Sequence, residues 1–175
     1  MKRTSYNNQG FTLMELLVAM TVFLVVIGLS SGIFIQTLRS QRVITRFSEN
    51  MNNITVSLEQ IAREVRTGFD LPPSTSDPYQ KLTFRNGYGN YVSYMLLENE
   101  EIGSIGRCES FQSAGCQLAG DFELITSPDV DIENLIFFIQ NDETRPPLVT
   151  IAVETLIDIG ATLTLQTSVS SRIID

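Results

Sequence analysis

The hydrophobic positions near the start of this chain form an unbroken apolar run. Residues 16–35 contain no charged side chain. At about 1.5 Å rise per residue, such a run spans roughly 30 Å as a helix, the hydrocarbon thickness of a bilayer. Its interruptions are small or hydroxylic residues, which membrane helices tolerate because they allow close helix packing. The run therefore predicts a transmembrane helix.

Farther along, the apolar residues become one-sided, with alternating spacings of three and four. No proline occurs before Pro72, so we expect one continuous helix from about residue 12 to residue 67. Basic residues in the last turns, then Gly68 and the prolines, predict its end. The stripe is expected to cover the sheet of the following domain, although a coiled-coil seam is an alternative. Its members are Ile44, Phe47, Met51, Ile54, Leu58, Ile61 and Val65.

The rest of the chain alternates short apolar segments with turn residues, as antiparallel strands do. Residues 69–80, rich in proline and serine, are predicted to be a linker. Strand 134–140 is apolar on both faces and is expected to lie beneath the helix, whereas strand 161–169 alternates and is expected to be half exposed. We predict an α+β fold in which the long helix packs on one antiparallel sheet. The predicted strands are 81–85, 91–97, 103–108, 122–126, 134–140, 148–154 and 161–169, with 156–160 as a connection.

The charge balance limits the possible partners. The formal net charge at pH 7 is −8, and loss of Lys2 and Arg3 would make it −10. Nucleic-acid affinity comes largely from Lys and Arg, so no nucleic-acid partner is expected. The chain has no histidine, which removes the commonest general base and metal ligand. We therefore expect no enzyme activity and no cofactor.

Two further groups of residues are candidates for chemistry. Cys108 and Cys116 are compatible with a disulfide in an oxidising compartment or with two free thiols. Asp129, Asp131 and Glu133 alternate ahead of a strand, and oxygen-rich clusters suit calcium. They do not form a D-x-D-x-D-G loop, so no metal site is expected.

Glu15 is the residue that a plain membrane anchor does not explain. A charge inside a membrane helix costs about 3 kcal/mol at the centre and less near an interface, so it suggests a function by default. A signal anchor would account for the length of the apolar run but not for this carboxylate.

The sequence MKRTSYNNQGFTLMELLVAM resembles the N-terminal signature of type IV pilins and type II secretion pseudopilins. That signature is a short basic leader ending in Gly, then Phe-Thr-Leu, an aliphatic residue, Glu and a long apolar helix. The second half is more loosely similar to J-type pseudopilins and W-type minor pilins, through LEQIAREVRTG, SPDVDIENLIFFI and LTLQTSVSSRI. The residues matching the N-terminal signature are Lys2, Arg3, Gly10, Phe11, Thr12, Leu13, Met14 (a mild departure at the aliphatic position) and Glu15.

The resemblance implies that a prepilin peptidase cuts between Gly10 and Phe11 on the cytoplasmic side and N-methylates Phe11. The mature subunit would lie in the inner (cytoplasmic) membrane as a single-pass protein, with its C-terminal domain outside the cytoplasm. With the assembly platform, it would enter a filament by packing its N-terminal helix among those of other pilin or pseudopilin subunits. Glu15 would pair with the Phe11 amine of a neighbour.

Orientation rests on this resemblance. Basic residues occur both in the leader and just beyond the apolar run, so the positive-inside rule does not decide the topology. That second group is expected to reach the lipid headgroups. An exported domain favours a Cys108–Cys116 disulfide over free thiols. The second basic group consists of Arg39, Arg42 and Arg46.

The sequence is therefore interpreted as a minor pilin or minor pseudopilin, a structural and assembly-initiating subunit. The expected divisions are a leader (1–10), a transmembrane and filament-core helix (11–38), an amphipathic helix half (39–68), a linker (69–80) and a sheet domain (81–175). Three alternatives stay open: a membrane-anchored exported binding domain, a competence pseudopilin for DNA uptake, and a major pilin. The acidic charge argues against DNA uptake.

Overall fold

The computed structural model describes residues 10–99, 102–112, 115–141, 145–157 and 161–172. Residues 1–9 of the expected leader lie outside them. The chain divides into two compact units, the first ending at Arg46 and the second beginning at Phe47. Among the described residues, the first unit is helical from Leu13 onward, and the second combines helix with strands.

A single helix, α1, runs from Leu13 to Thr67 over 55 residues, which confirms the predicted continuous helix. Its core-facing stripe is shorter than predicted. Ile54, Leu58, Ile61 and Val65 are buried, whereas Ile44 is 60% exposed. Phe47 is also exposed, and Met51 is only half-buried. The core begins at Ile54, so the upstream part of the same periodicity lies on exposed helix.

The helix ends where a side chain would not fit. Gly68 follows the last helical residue, and a Cβ atom there would lie 2.5 Å from Cδ2 of Phe84. The Gly68 carbonyl accepts a hydrogen bond from Ser171 Oγ at 2.6 Å. The end of α1 is therefore held against both a strand and the C-terminal part of the chain.

Within the described ranges, seven strands follow α1, and they form two antiparallel sheets rather than the predicted single sheet. The strands are β1 (Lys81–Arg85), β2 (Tyr91–Asn99), β3 (Ile102–Ser110), β4 (Glu123–Leu124), β5 (Asp131–Gln140), β6 (Leu148–Ile157) and β7 (Ala161–Ser170). Sheet A has the order β1-β2-β3-β4, and sheet B has the order β5-β6-β7. One turn of 3-10 helix, Ala119–Asp121, precedes β4. The α+β class is confirmed.

The predicted strand 122–126 is the main error in strand placement. Only the two residues of β4 pair with β3. Thr126 instead turns inward, and its Oγ1 accepts a hydrogen bond from Ile105 N at 3.1 Å. This side-chain bond replaces a ladder bond and ends sheet A.

Sheet B then begins at a close crossing with β3. Asp131 Oδ1 accepts a hydrogen bond from Gly103 N at 2.9 Å. A Cβ atom on Gly103 would lie 1.9 Å from the carbonyl oxygen of Ile132, so only glycine permits this approach. At this crossing, β3 and β5 lie close together without pairing as neighbours in a ladder. The sequence pattern does not reveal such a break between sheets, and it therefore suggests one sheet.

Other strand ends differ modestly from the prediction. β5 begins three residues before residue 134, and β6 continues to Ile157 through part of the predicted connection 156–160. Residues 158–160 of that connection lie outside the described part of the chain. The remaining strands agree with the prediction within a few residues.

The faces of sheet B show which side contributes to the core. Leu135, Phe137 and Ile139 are buried, but Phe138 is 43% exposed. This strand is apolar on both faces, as predicted, but only one face of sheet B joins the common core. In β7, the alternating prediction is confirmed: the even-numbered residues Thr162, Thr164, Gln166, Ser168 and Ser170 are exposed.

Polar contacts fix the helix on the sheets. Ser57, buried on α1, places its Oγ 3.1 Å from the Ile125 carbonyl oxygen. Arg107 of β3 donates from Nε to Glu64 Oε1 of α1 at 3.0 Å. Burial, and next the Glu64 carboxylate, raise the pKa of Tyr94 in the same core, so its phenol stays neutral. These contacts specify how the helix packs, since apolar burial alone is non-directional.

We predict that Ile61→Ala strongly destabilises the second unit. Ile61 is fully buried, and removing such a side chain typically costs about 2–5 kcal/mol. Val56→Ala is the control on the same helix, because Val56 is 61% exposed. The free energy of unfolding of the full chain in detergent, followed by tyrosine near-UV circular dichroism, should fall for Ile61→Ala and change by less than about 0.5 kcal/mol for Val56→Ala. Equal losses would contradict the packing described.

Candidate functional site

The predicted cleavage point lies in open, non-helical backbone. Residues 10–12 precede α1, and Gly10 and Phe11 are exposed. A Cβ on Gly10 would meet no atom within 4 Å. The Gly10–Phe11 peptide bond is therefore sterically accessible before the first helical turn.

Thr12 and Glu15 close the start of the helix as a capping box. Glu15 N donates to Thr12 Oγ1 at 3.3 Å, and Thr12 N donates to Glu15 Oε2 at 3.5 Å. Such reciprocal bonds satisfy backbone donors that a helix N-terminus otherwise leaves free. A carboxylate in the first turn also interacts favourably with the helix dipole. Sequence reasoning missed this role, although the Thr-x-x-Glu spacing is a readable signal.

The helix that follows presents apolar side chains on every side. Residues 11–49 are all exposed, and α1 is long and apolar enough to cross a membrane. Its hydroxyl groups bond to carbonyls of their own helix, for example Thr21 to Val18 and Ser30 to Val26, each at 2.8 Å. Ser31 and Thr37 do the same. Hydroxyl groups that bond to their own helix suit a helix surface that is buried in lipid, because an unpaired polar group in hydrocarbon is costly.

The cysteines lie in the second unit, away from the N-terminal residues along the chain. A disulfide joins Cys108 of β3 to Cys116, eight residues later. Lys81 Nζ donates to the Cys116 carbonyl and lies 5.5 Å from the centre of the Phe122 ring. The disulfide therefore ties the loop after β3 back to β3, and the Lys81 hydrogen bond ties the same loop to β1.

Two of the three acidic residues considered for calcium, Asp129 and Asp131, have structural partners. Asp131 accepts the Gly103 N–H described above, and Asp129 Oδ2 lies 3.5 Å from Ser127 Oγ. Among the residues that the structure describes, no group of three or more His, Cys, Asp or Glu side chains could hold a metal ion.

A family profile described as the prokaryotic N-terminal methylation motif matches residues 5–31. No curated protein and no solved structure gives a significant match to the chain. The matched segment contains the open Gly10–Phe11 bond, the capping box and most of the apolar run.

The chain therefore carries the prepilin-type signal of type IV pilins and pseudopilins. This signal and the apolar helix that follows it fit a pilin-like, exported protein that is anchored in the membrane by its N-terminal helix. Proteins with this motif are structural, and they are processed by a prepilin peptidase and assemble with other pilins.

An exported second unit predicts an oxidised cysteine pair in cells, since disulfides persist outside the reducing cytoplasm. After denaturation, maleimide should leave Cys108 and Cys116 unlabelled unless a reductant is added first, as read by intact mass. The Cys108→Ser variant is the control, because its single remaining thiol must react without reductant. Labelling of both wild-type thiols without reductant would contradict export of this unit.

Proposed function

We propose that this chain is a minor pilin or minor pseudopilin, a structural and assembly-initiating subunit of a type IV pilus or type II secretion pseudopilus. The observation that carries the proposal is one juxtaposition. An accessible Gly10–Phe11 bond and the Glu15 carboxylate immediately precede a helix whose surface is apolar on every side. Prepilin peptidase would cut after Gly10 and N-methylate Phe11.

The proposed orientation places the N-terminus at the cytoplasmic side of the inner membrane and the second unit outside the cytoplasm. The disulfide supports this placement, because a cytosolic domain would keep its thiols reduced. Arg39 and Arg42 are exposed just beyond the apolar run, where long basic side chains reach lipid headgroups. The assembly platform would then transfer the subunit from the bilayer into a filament.

In the filament, Glu15 is proposed to set the axial register between neighbouring helices. An apolar helix surface packs well in many registers, because hydrophobic contact is non-directional. A buried carboxylate tolerates only the register that brings it to a cationic partner. Cleavage would create such a partner at the Phe11 amine of the adjacent subunit. Within its own chain, Glu15 would first cap the helix and then exchange that cap for the neighbour's amine.

A minor rather than a major role is supported by the second unit. The major-pilin layout is a single meander with a cysteine pair near the C-terminus. Here the strands divide into two sheets, and the disulfide joins β3 to the loop after it.

The proposal predicts that Glu15→Leu is processed and inserted normally but enters filaments at least about tenfold less than wild type. Leaving a buried amine without its partner costs about 3–5 kcal/mol, and about 1.4 kcal/mol already corresponds to tenfold. The measurement is the ratio of processed chain in sheared filaments to processed chain in membranes, by quantitative mass spectrometry.

Glu15→Gln separates charge from capping, because glutamine also serves at this position of a capping box. If the charge sets the register, Glu15→Gln should be lost from filaments as severely as Glu15→Leu. Normal incorporation of Glu15→Gln with loss of Glu15→Leu would reduce Glu15 to a helix cap. Normal incorporation of both variants would overturn the proposed role altogether.

A further inference from the structure

Two exposed arginines lie just beyond the apolar run, at the opposite end from Glu15. Residues 16–35 carry no charge, and Arg39 and Arg42 are the first charged residues after them. Both belong to α1 and are exposed. Because residues three apart in a helix lie on the same face, the two guanidinium groups project from one side of α1. This arginine pair therefore forms a patch of positive charge directly beside an apolar surface.

No acidic residue of the same helix neutralises the arginine pair. Ion pairs along a helix join residues three or four apart, and the sequence has no Asp or Glu between Glu15 and Glu49. Within the described residues, the side chains of Arg39 and Arg42 have no ion-pair or hydrogen-bond partner. The pair therefore carries two unneutralised charges that repel each other, and an anion between them would relieve that repulsion.

The distance along α1 sets the level of this pair relative to a bilayer. At about 1.5 Å per residue, Arg39 lies about 6 Å and Arg42 about 10 Å beyond the end of the uncharged run. The headgroup layer on each side of a hydrocarbon core is about 5–8 Å thick. Helix side chains tilt toward the N-terminus of their own helix, which here is toward the bilayer. Both guanidinium groups can therefore reach the level of the lipid phosphates.

Apolar residues beside the arginine pair make the surface amphipathic. Leu38 is 42% exposed, and Val43 is 46% exposed. A phospholipid offers matching chemistry, because its phosphate lies directly above glycerol esters and acyl chains. A free inorganic anion would bind the guanidinium groups but leave both apolar side chains in water. The combination of groups therefore favours a lipid over a soluble anion.

We propose that Arg39 and Arg42 form a binding site for the headgroup of an anionic phospholipid. A guanidinium group binds phosphate oxygens through two parallel hydrogen bonds. A zwitterionic headgroup brings its own ammonium group, which two unneutralised arginines repel, whereas an anionic headgroup brings no cation. The inference goes beyond the proposed function by naming a lipid class, and it rests on the membrane insertion in that proposal.

Such a site would fix how deeply the helix lies in the membrane. Glu15 and Arg39 both belong to α1 and are about 36 Å apart along its axis, which exceeds the roughly 30 Å hydrocarbon core. With the arginine pair held in one headgroup layer, the Glu15 carboxylate lies in the opposite one instead of in hydrocarbon. Glu15 then becomes buried only when the helix leaves the bilayer for a filament.

The test compares two double substitutions that remove the same charge from the same helix. Arg39→Gln/Arg42→Gln removes the proposed site, and glutamine keeps the helix propensity. Arg63→Gln/Arg66→Gln is the matched control, because Arg63 and Arg66 are also exposed and three residues apart but lie far along the chain from the apolar run. The full chain is reconstituted in nanodiscs of equimolar phosphatidylcholine and phosphatidylglycerol and then transferred to mild detergent. Native mass spectrometry measures the ratio of the two lipids that stay bound.

We expect wild type and the control to retain phosphatidylglycerol over phosphatidylcholine by at least about fivefold, because one basic residue near an anionic surface already gives about that factor. For Arg39→Gln/Arg42→Gln the ratio should be at least about threefold lower. Equal ratios for the two double variants would overturn the inference. Loss of the wild-type preference when sodium phosphate replaces sodium chloride at equal ionic strength would also overturn it, since that indicates a site for free phosphate. A wild-type chain that does not insert into nanodiscs would refute the membrane anchoring in the proposed function, and this inference with it.

Discussion

The central constraint on this protein is an apolar helix surface that must be buried away from water. Between Leu13 and Leu38, seventeen large apolar side chains are exposed, and each would gain about 1.5–3 kcal/mol on full burial. Lipid satisfies this demand first and other helices can satisfy it later, since neither provides directional contacts. The hydroxyl groups of the run already bond within the helix, and Glu15 is the one carboxylate before residue 49. In the proposed filament, specific packing of this segment would therefore depend on few polar groups, with Glu15 foremost among them.

The second unit differs from the apolar run, because its helix segment must pack in one defined position on two sheets. Apolar burial from Ile54 to Val65 supplies the energy. Ser57 and the Glu64–Arg107 ion pair select the helix position by hydrogen bonds that cross to the connection after β4 and to β3.

Local pattern was sufficient to predict most of the elements. The three-and-four spacing gave α1, and alternation gave the half-exposed β7. The division into two sheets was not predictable, because it depends on long-range contacts: Thr126 turning toward Ile105, and Gly103 crossing Ile132. The upstream part of the stripe, Ile44 and Phe47, misled the prediction, since periodicity does not reveal where a core begins. The Thr12–Glu15 box was readable from spacing alone.

The N-terminus of the mature protein tests the account most directly. The full chain would be purified from membranes of producing cells and analysed by mass spectrometry of its N-terminal peptide. The account predicts that the chain begins with N-methyl-phenylalanine at position 11, with residues 1–10 removed. A chain that retains Met1 and residues 2–10 would contradict it, and would leave only a membrane-anchored domain.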